Sequence, residues 1–252
     1  MPITALPYIF ITVLGMAVGS FANVLIFRLP EEQDFVKEPS HCMHCGHRLR
    51  WYELLPLVSF LAQGGRCRAC GTKLSWQYPL VEGVNGLMWL ATVLLFAGDW
   101  LRVGLYCALF TLLLVLAVID WRTYTLPNGL NLAVLVLGVV QLAADFDNWP
   151  TYLLGMCSVS LFFLLLWWLT GGAGIGMGDV KLMAAAGLLL GGPRILLAMI
   201  VGSVLGVIIH SLRMRRGAGN KLAFGPYLAA GIWFAALFGQ QTITAYLGIF
   251  GL

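Results

Sequence analysis

Charged residues are scarce in this sequence, and their scarcity excludes most soluble folds. Only 10% of its 252 residues are Asp, Glu, Lys or Arg, while 60% are apolar. An ordinary soluble domain carries about 25% charged residues. The mean hydropathy of +0.87 indicates the same class, and the net charge of +4 is too small to suggest a nucleic-acid partner. We therefore expect a chain that is surrounded mainly by a lipid bilayer.

The N-terminal segment also lacks the marks of a removable signal peptide. Its first five residues, MPITA, contain no basic side chain, and no small-residue cleavage site follows the first apolar run. We expect that run to be retained as a membrane span.

Long apolar runs fill most of the chain. A helix needs roughly 20 apolar residues to cross the hydrocarbon core of a bilayer. The predicted spans are Leu6–Leu29, Pro79–Gly98, Leu101–Ile119, Leu130–Phe146, Thr151–Thr170, Val180–Gly191, Ile195–Leu212 and Ala223–Phe238. The sixth is short, and the apolar tail after Gln240 is too short to count. The sequence thus predicts an all-α polytopic membrane protein with about eight transmembrane helices and a small cytoplasmic loop domain.

The basic residues fall almost entirely on one side of this topology. With the polar segment 30–78 in the cytoplasm, 13 of the 15 Lys and Arg residues lie on the cytoplasmic side, as the positive-inside rule requires. Only Arg102 and Arg194 fall outside. We expect three regions, namely a first span at 1–29, a cytoplasmic loop at 30–78 and a transmembrane bundle at 79–252.

The cytoplasmic loop contains two Cys-x-x-Cys-Gly motifs. Cys42 and Cys45 form the first pair, and after 21 further residues Cys67 and Cys70 form the second. Four thiolates in this arrangement are typical of a closed, structural zinc site. Two disulfides are the alternative, but cytoplasmic thiols are kept reduced. Three histidines are further possible ligands, which we expect to be solvated instead: His41, His44 and His47.

Two aspartates lie where predicted spans meet the cytoplasm. Asp120 follows the third span and Asp179 opens the sixth, so the topology places both at similar depth. Two carboxyl groups that share one proton can activate water and protonate a leaving amine. Asp179 could instead cap the helix that follows it. Asp120 faces the negative end of a helix dipole, which disfavours its ionised form and makes Asp179 the expected base.

No nucleotide-binding fingerprint accompanies these residues. The segment before Asp179 is rich in glycine, but no Lys-Ser or Lys-Thr follows it as in a phosphate-binding loop. The glycines instead predict a flexible backbone beside that carboxylate.

The motifs resemble those of the bacterial prepilin peptidase family, also called type IV leader peptidases with N-methyltransferase activity. The resemblance covers nearly the whole chain. It comprises GSFANV at 19–24, RLP at 28–30, both cysteine pairs, GRCR at 65–68, YPLVE at 78–82, Asp120 with LPN at 126–128, GMGDVKL at 176–182 and FGP at 224–226. Family members often have Leu where this chain has Ala22. The glycine–aspartate block is shared with intramembrane aspartyl proteases such as presenilin, and its combination with the cysteine loop is highly specific.

The resemblance implies an aspartyl endopeptidase of the bacterial inner membrane with Asp120 and Asp179 as its catalytic pair. Its substrates would be type IV prepilins or type II secretion pseudopilins, whose short basic leader is removed after a glycine. It also implies methylation of the new N-terminal amine with S-adenosylmethionine as donor. Four residues are candidates for binding this cofactor: Arg28, Gly65, Glu82 and Asn85. Glu82 and Asn85 are three residues apart and share a helix face. They could equally form hydrogen bonds between helices instead of binding the cofactor.

Two other functions stay open at this point. A proton-coupled transporter would also use buried aspartates, but it needs no thiolate loop and more often has its acidic residues at the bilayer midplane. A peptidase without methyltransferase activity would have the same sequence features. The choice between pilin and pseudopilin substrates is open as well.

Overall fold

The computed structural model describes residues 5–34, 37–217 and 221–249, and within these ranges the chain is helical without strands. The helices are α1 (Leu6–Arg28), α2 (Val58–Ala62), α3 (Gln77–Leu95), α4 (Trp100–Thr123), α5 (Asn128–Ala144), α6 (Trp149–Leu169), α7 (Met177–Leu190), α8 (Gly192–Arg215) and α9 (Gly225–Ile249). Three short 3₁₀ turns lie at Leu29–Glu31, Trp51–Leu54 and Phe146–Asn148. The predicted all-α class is confirmed.

Each of the eight predicted spans coincides with a helix. Five helical segments are long and apolar enough to cross a membrane: Leu6–Glu31, Gln77–Leu95, Trp100–Thr123, Phe146–Leu169 and Gly192–Arg215. The helix Asn128–Ala144 is apolar but shorter. Proline in the first turn marks the start of α1, α6 and α8, a position where its missing N–H is not needed.

The last helix is longer than predicted. It was expected to end at Phe238, whereas α9 continues to Ile249. Gln240 and Gln241 lower the apolar character of its second half, but neither residue breaks a helix. The tail after Gln240 forms no helix of its own up to Ile249 and instead continues the last span.

The chain divides into two compact units within α4. Unit one is Met1–Val115, where α1 packs along α3. Asn85 in α3 ties the helices together, since its Nδ2 donates to the Gly15 carbonyl at 2.7 Å and its Oδ1 accepts from Thr111 Oγ1 at 2.9 Å. Such interhelical bonds satisfy polar groups that lipid cannot.

Unit two is Leu116–Leu252, and α7 lies at its centre, packed against α5 and α6. Gly155 of α6 and Gly187 of α7 meet backbone to backbone, so that a Cβ atom on either would collide with the other. Small residues at this crossing allow the close helix contact common in membrane proteins. α7 has only 14 residues, and this close packing buries it among the longer helices.

Candidate functional site

Asp120 lies in the last turn of α4 and is 6% exposed. Its Oδ2 accepts a hydrogen bond from the backbone N–H of Gly225 at 2.9 Å. Gly225 is the first residue of α9, so the positive end of that helix dipole faces the carboxylate. A Cβ atom at Gly225 would lie 2.8 Å from Asp120 Oδ2 and 3.1 Å from Cγ. Glycine is therefore the residue that allows this amide to reach Asp120.

Asp179 lies in the first turn of α7 and is 8% exposed. The N-cap of α7 is Gly176, and no side chain caps the helix, so Asp179 is not the cap residue. The Gly176 backbone hydrogen-bonds its carboxylate, while its Oδ1 is buried without a hydrogen-bond partner among the described residues. Such an oxygen is costly to leave ionised and unpaired.

The two aspartates belong to the same unit. Phe224 lines a cavity together with Asp179, and the next residue, Gly225, donates its amide to Asp120, so both buried carboxyl groups lie near the start of α9. The structure therefore brings together the two residues that the topology had placed at similar depth. Two such carboxyl groups can hold one proton between them.

A cavity of about 430 Å³ opens beside Asp179. Besides Ser203, its other walls are apolar side chains and the glycine-rich backbone before α7: Phe162, Phe163, Leu166, Met199, Leu222, Phe224 and residues 172–176. Apolar walls around a few polar groups are typical of ligand sites. The cavity has room for an apolar side chain or short stretch of peptide beside Asp179.

The two Cys-x-x-Cys-Gly motifs of unit one fold in the same way. In each, an isolated antiparallel bridge closes the turn, His41 with Arg48 and Arg66 with Lys73. The glycine after each pair, Gly46 or Gly71, has φ of +71°. A side chain would be strained in that conformation, so the glycines let the chain turn back toward the sulfur atoms.

The four cysteine sulfurs converge on one point. All four Sγ atoms lie within 4.8 Å of one another, with Cys42 and Cys70 4.0 Å apart and Cys45 and Cys67 4.0 Å apart. These thiols are free, and the separation is close to the edge of roughly 3.8 Å expected for four sulfurs around a tetrahedral zinc. The cluster could therefore hold a metal ion.

The four cofactor candidates lie in unit one, in different surroundings. Arg28 donates to the carbonyls of Asp34, Glu38 and Pro39 at 3.0, 2.7 and 3.1 Å. Glu82 accepts from the Leu57 amide at 2.8 Å.

Arg28 and Glu82 line one cavity of unit one. Asn85, which is 0% exposed, instead uses its amide in the interhelical bonds described above. Gly65 has φ of +65° and packs on the Phe60 ring.

Two residues near the aspartates, Gly225 and Asn131, were not predicted from the sequence to contact this region. Gly225 belongs to the FGP motif, but nothing in its spacing indicates that its amide faces a residue 105 positions earlier. Asn131 in α5 donates its Nδ2 to the Gly178 carbonyl at 3.3 Å, immediately before Asp179. A buried amide in an apolar helix was the available signal for Asn131.

Comparison with known proteins agrees with the geometry. The family model of the bacterial peptidase A24 N-terminal domain matches residues 13–96, and that of the type IV leader peptidase family matches residues 107–211. Proteins named prepilin leader peptidase/N-methyltransferase are similar over almost their whole length. The one from Pseudomonas putida is 34% identical over 95% of this chain and 93% of its own. The one from Stutzerimonas stutzeri is 36% identical over 93% and 92%.

A third protein of this kind is similar to the chain. The protein of the same name from Bacillus subtilis strain 168 is 32% identical over 93% of this chain and 96% of its own. No solved structure matches the chain. Apolar spans, paired aspartates and relatives together lead to one conclusion: the chain is a multi-pass bacterial membrane protein that belongs to the type IV leader peptidase family.

Proposed function

We propose that this protein is an aspartyl endopeptidase that removes the leader from type IV prepilins or type II secretion pseudopilins and then methylates the new N-terminus. The observation that carries the peptidase activity is the pair of buried carboxyl groups at Asp120 and Asp179, which both lie at helix ends near the start of α9. The two activities are those in the name of the similar proteins, prepilin leader peptidase/N-methyltransferase. The position of the pair at helix ends beside an apolar cavity supports hydrolysis of a peptide that reaches the membrane surface.

In this mechanism the pair shares one proton and Asp120 is the ionised member. The Gly225 amide stabilises its negative charge, while the partnerless Oδ1 of Asp179 carries the proton. Asp120 removes a proton from water, and the water oxygen attacks the scissile carbonyl carbon as Asp179 protonates the carbonyl oxygen. When the C–N bond breaks, the proton taken up by Asp120 passes to the leaving amine, and Asp179 recovers its own proton as the carboxylic acid product forms.

The methyltransferase activity would belong to unit one, which contains the whole match to the N-terminal domain of the family. S-adenosylmethionine, when bound, supplies the methyl group for the newly exposed amine. Arg28 and Glu82 are the candidate residues that line a cavity able to receive it. Gly65 and Asn85 would support the site through the backbone and helix contacts that they make.

The cysteine cluster would hold one zinc ion as a structural centre. Four cysteines complete a tetrahedral site and leave no position for water, so the ion would stabilise the loop and take no part in the chemistry. The sulfur separations and the free thiols support this assignment. The histidines of the loop are not needed as ligands.

We place the aspartates, the cysteine loop and both activities on the cytoplasmic side of the inner membrane. The support is the distribution of Lys and Arg residues along the chain. In this proposal 1–29 anchors the loop, 30–78 is the metal-binding segment that serves methylation, and 79–252 carries the peptidase.

The test is co-expression with a type IV prepilin and with a type II pseudopilin, each in a host that lacks its own leader peptidase. Mass spectrometry of the product's N-terminal peptide should show loss of the leader and a mass increase of one methyl group. A cleaved but unmethylated product would mean that the protein has peptidase activity without methyltransferase activity. An intact leader on both substrates would contradict the proposed peptidase activity.

A further inference from the structure

The mostly polar loop of unit one contains an apolar stretch between its two cysteine motifs. Nine of the twelve residues at 51–62 are apolar, and the stretch folds into the 3₁₀ turn Trp51–Leu54 and the short helix α2. An apolar run of about 10 to 14 residues is too short to cross a bilayer, and it fits a segment that enters one leaflet and returns.

One face of α2 is buried, while the opposite face is open. Phe60 is 7% exposed, whereas Val58 and Leu61 are 61% and 72% exposed. Leu54 and Leu55, just before α2, are exposed as well. Apolar side chains grouped in this way are typical of a surface that contacts a membrane or another protein.

α2 lies beside the start of α3, one of the helices that are long and apolar enough to cross a membrane. The Phe60 ring packs on Trp76, the residue before α3, with ring centroids 5.1 Å apart. The Leu57 side chain reaches farther along α3, since a Cβ atom at Gly83 would lie 4.0 Å from its Cδ2. Gly83 is six residues beyond the first residue of α3, about 9 Å along the helix axis. The Leu57 side chain therefore lies within the span.

The open face of α2 adjoins the outer side of α3. Trp76, Leu80 and Leu87 are all exposed, and their spacing of four and seven residues places them on one side of the helix. That side contacts lipid, because α3 crosses the membrane. Exposed tryptophans such as Trp76 and Trp51 are typical of the membrane–water interface. The apolar surface of α2 is thus continuous with one that lipid already covers.

The backbone of the stretch also suits a setting without water. Leu57 has φ of +56°, which is strained for leucine, and its amide donates to Glu82 Oε2 of α3 at 2.8 Å. Pro56 has no N–H to satisfy, and the Ser59 amide donates to the Leu55 carbonyl. Non-helical backbone at membrane depth requires partners of this kind. Glu82 therefore satisfies the amide at the tip of the turn, which lipid could not do.

We propose that the segment 51–62 re-enters the membrane beside α3, with Val58 and Leu61 among the acyl chains. The partner of this surface is the lipid bilayer. Exposed arginines on both sides of the segment would lie at the level of the lipid phosphates: Arg48, Arg50, Arg66 and Arg68. The insertion holds the cysteine cluster at the bilayer surface, because the two cysteine motifs flank the segment.

The first experiment places a genetically encoded spin-labelled amino acid at position 61 of the full-length chain in lipid nanodiscs. It measures collisions of the label with oxygen, which concentrates among acyl chains, and with a nickel chelate, which stays in water. We expect the oxygen-to-nickel ratio at 61 to approach that at Leu87 of α3 and to exceed several-fold that at Arg48, the matched exposed position of the loop. A ratio equal to that at 48 would overturn the proposal. Low collision rates with both reagents would also overturn it, because they would show that protein covers this face.

The second experiment covers the case in which the label at 61 disturbs folding. Val58→benzoylphenylalanine puts a photoreactive ketone on the same open face of α2, and irradiation should attach phospholipid to the peptide that contains it, as mass spectrometry detects. Arg48→benzoylphenylalanine is the control and should give no adduct with acyl chains. Adducts of position 58 with a second copy of the chain or another polypeptide, without phospholipid adducts, would overturn the re-entrant segment and leave the proposed enzymatic function standing.

Discussion

The carboxylates of the two units are held in place by different kinds of structure. In unit two, Asp120 and Asp179 are fixed by helix ends, through the amide of Gly225 and the backbone of Gly176. In unit one, Glu82 is fixed by a strained turn at Leu57 in a loop with little helix of its own. That loop contains only one short α-helix and one 3₁₀ turn between Glu38 and Trp76, so its fold is expected to depend on the cysteine cluster. The comparison predicts a peptidase site that is stable without metal and a methyl-donor site that is not.

Loss of either aspartate is expected to have the largest effect. Asp120→Asn or Asp179→Asn removes a proton-transfer group while preserving shape, and leader cleavage should fall by about 10³-fold. Methylation of a substrate supplied without its leader should continue, because that site belongs to unit one. Gel-shift assays of cleavage and mass spectrometry of methylation measure the two activities separately.

Asp99→Asn is the control for the aspartate variants, since its side chain is 46% exposed and pairs with Arg102. It should cleave like the wild-type chain. Substantial cleavage by either purified aspartate variant would remove that residue from the catalytic pair.

Removal of the metal should have the reverse effect of the aspartate variants, because it should reduce methylation and spare leader cleavage. The purified chain should contain about one zinc per molecule by elemental analysis, and Cys42→Ser with Cys70→Ser should abolish it. We then expect methyl-donor binding to disappear while most of the leader cleavage is retained. Cys157→Ser is the matched control, because that cysteine lies in α6, outside the cluster.

Two results would contradict this view of the loop. Wild-type protein without metal and with two titratable disulfides would reject the zinc site. Cleavage that is lost in parallel with methylation would mean that the peptidase site also depends on the loop.

A smaller effect is expected from Gly225→Ala. The added Cβ atom would meet Asp120 at 2.8 to 3.2 Å, which is too close for the carboxylate to keep its bond to the amide. The turnover number for cleavage should fall by roughly 10- to 100-fold, since a misplaced acid–base group loses part of its contribution. Gly129→Ala is the control, because nothing lies within 4 Å of a Cβ there. Equal turnover of the two variants would show that the Gly225 contact is dispensable.

Much of the architecture could be predicted because its signals are local. Apolar runs bounded by proline and glycine located the helices, and the cysteine motifs carry their own turn glycines at Gly46 and Gly71. The contact between Gly225 and Asp120 could not be predicted, because it depends on how α4 and the start of α9 pack in unit two. The turn at Leu57 was equally hidden, since leucine at positive φ opposes its own backbone preference.

The division of roles within the pair depends on the same hidden contact. From the sequence, Asp120 faces only the negative end of its own helix and is expected to hold the proton. The structure adds the start of α9, whose amide donates to Asp120 and favours its charge. The Gly176 backbone hydrogen-bonds the Asp179 carboxylate, but its buried Oδ1 has no donor among the described residues. Helix-end effects are worth about 0.3 to 1 kcal/mol and up to about 2 when partly buried, which is enough to bias a shared proton.

Infrared difference spectroscopy of the carboxyl stretches can measure this bias, the smallest of the expected effects. The wild-type chain at neutral pH should show a protonated-carboxyl band that is absent in Asp179→Asn. In Asp120→Asn the band should persist but weaken, because the charge that helps to keep the proton on Asp179 is gone. Gly225→Ala should shift intensity toward Asp120, since it removes the donor that favours that ion. A band that is lost in Asp120→Asn and retained in Asp179→Asn would instead make Asp179 the base, and the dipole of α4 would then outweigh the amide of Gly225.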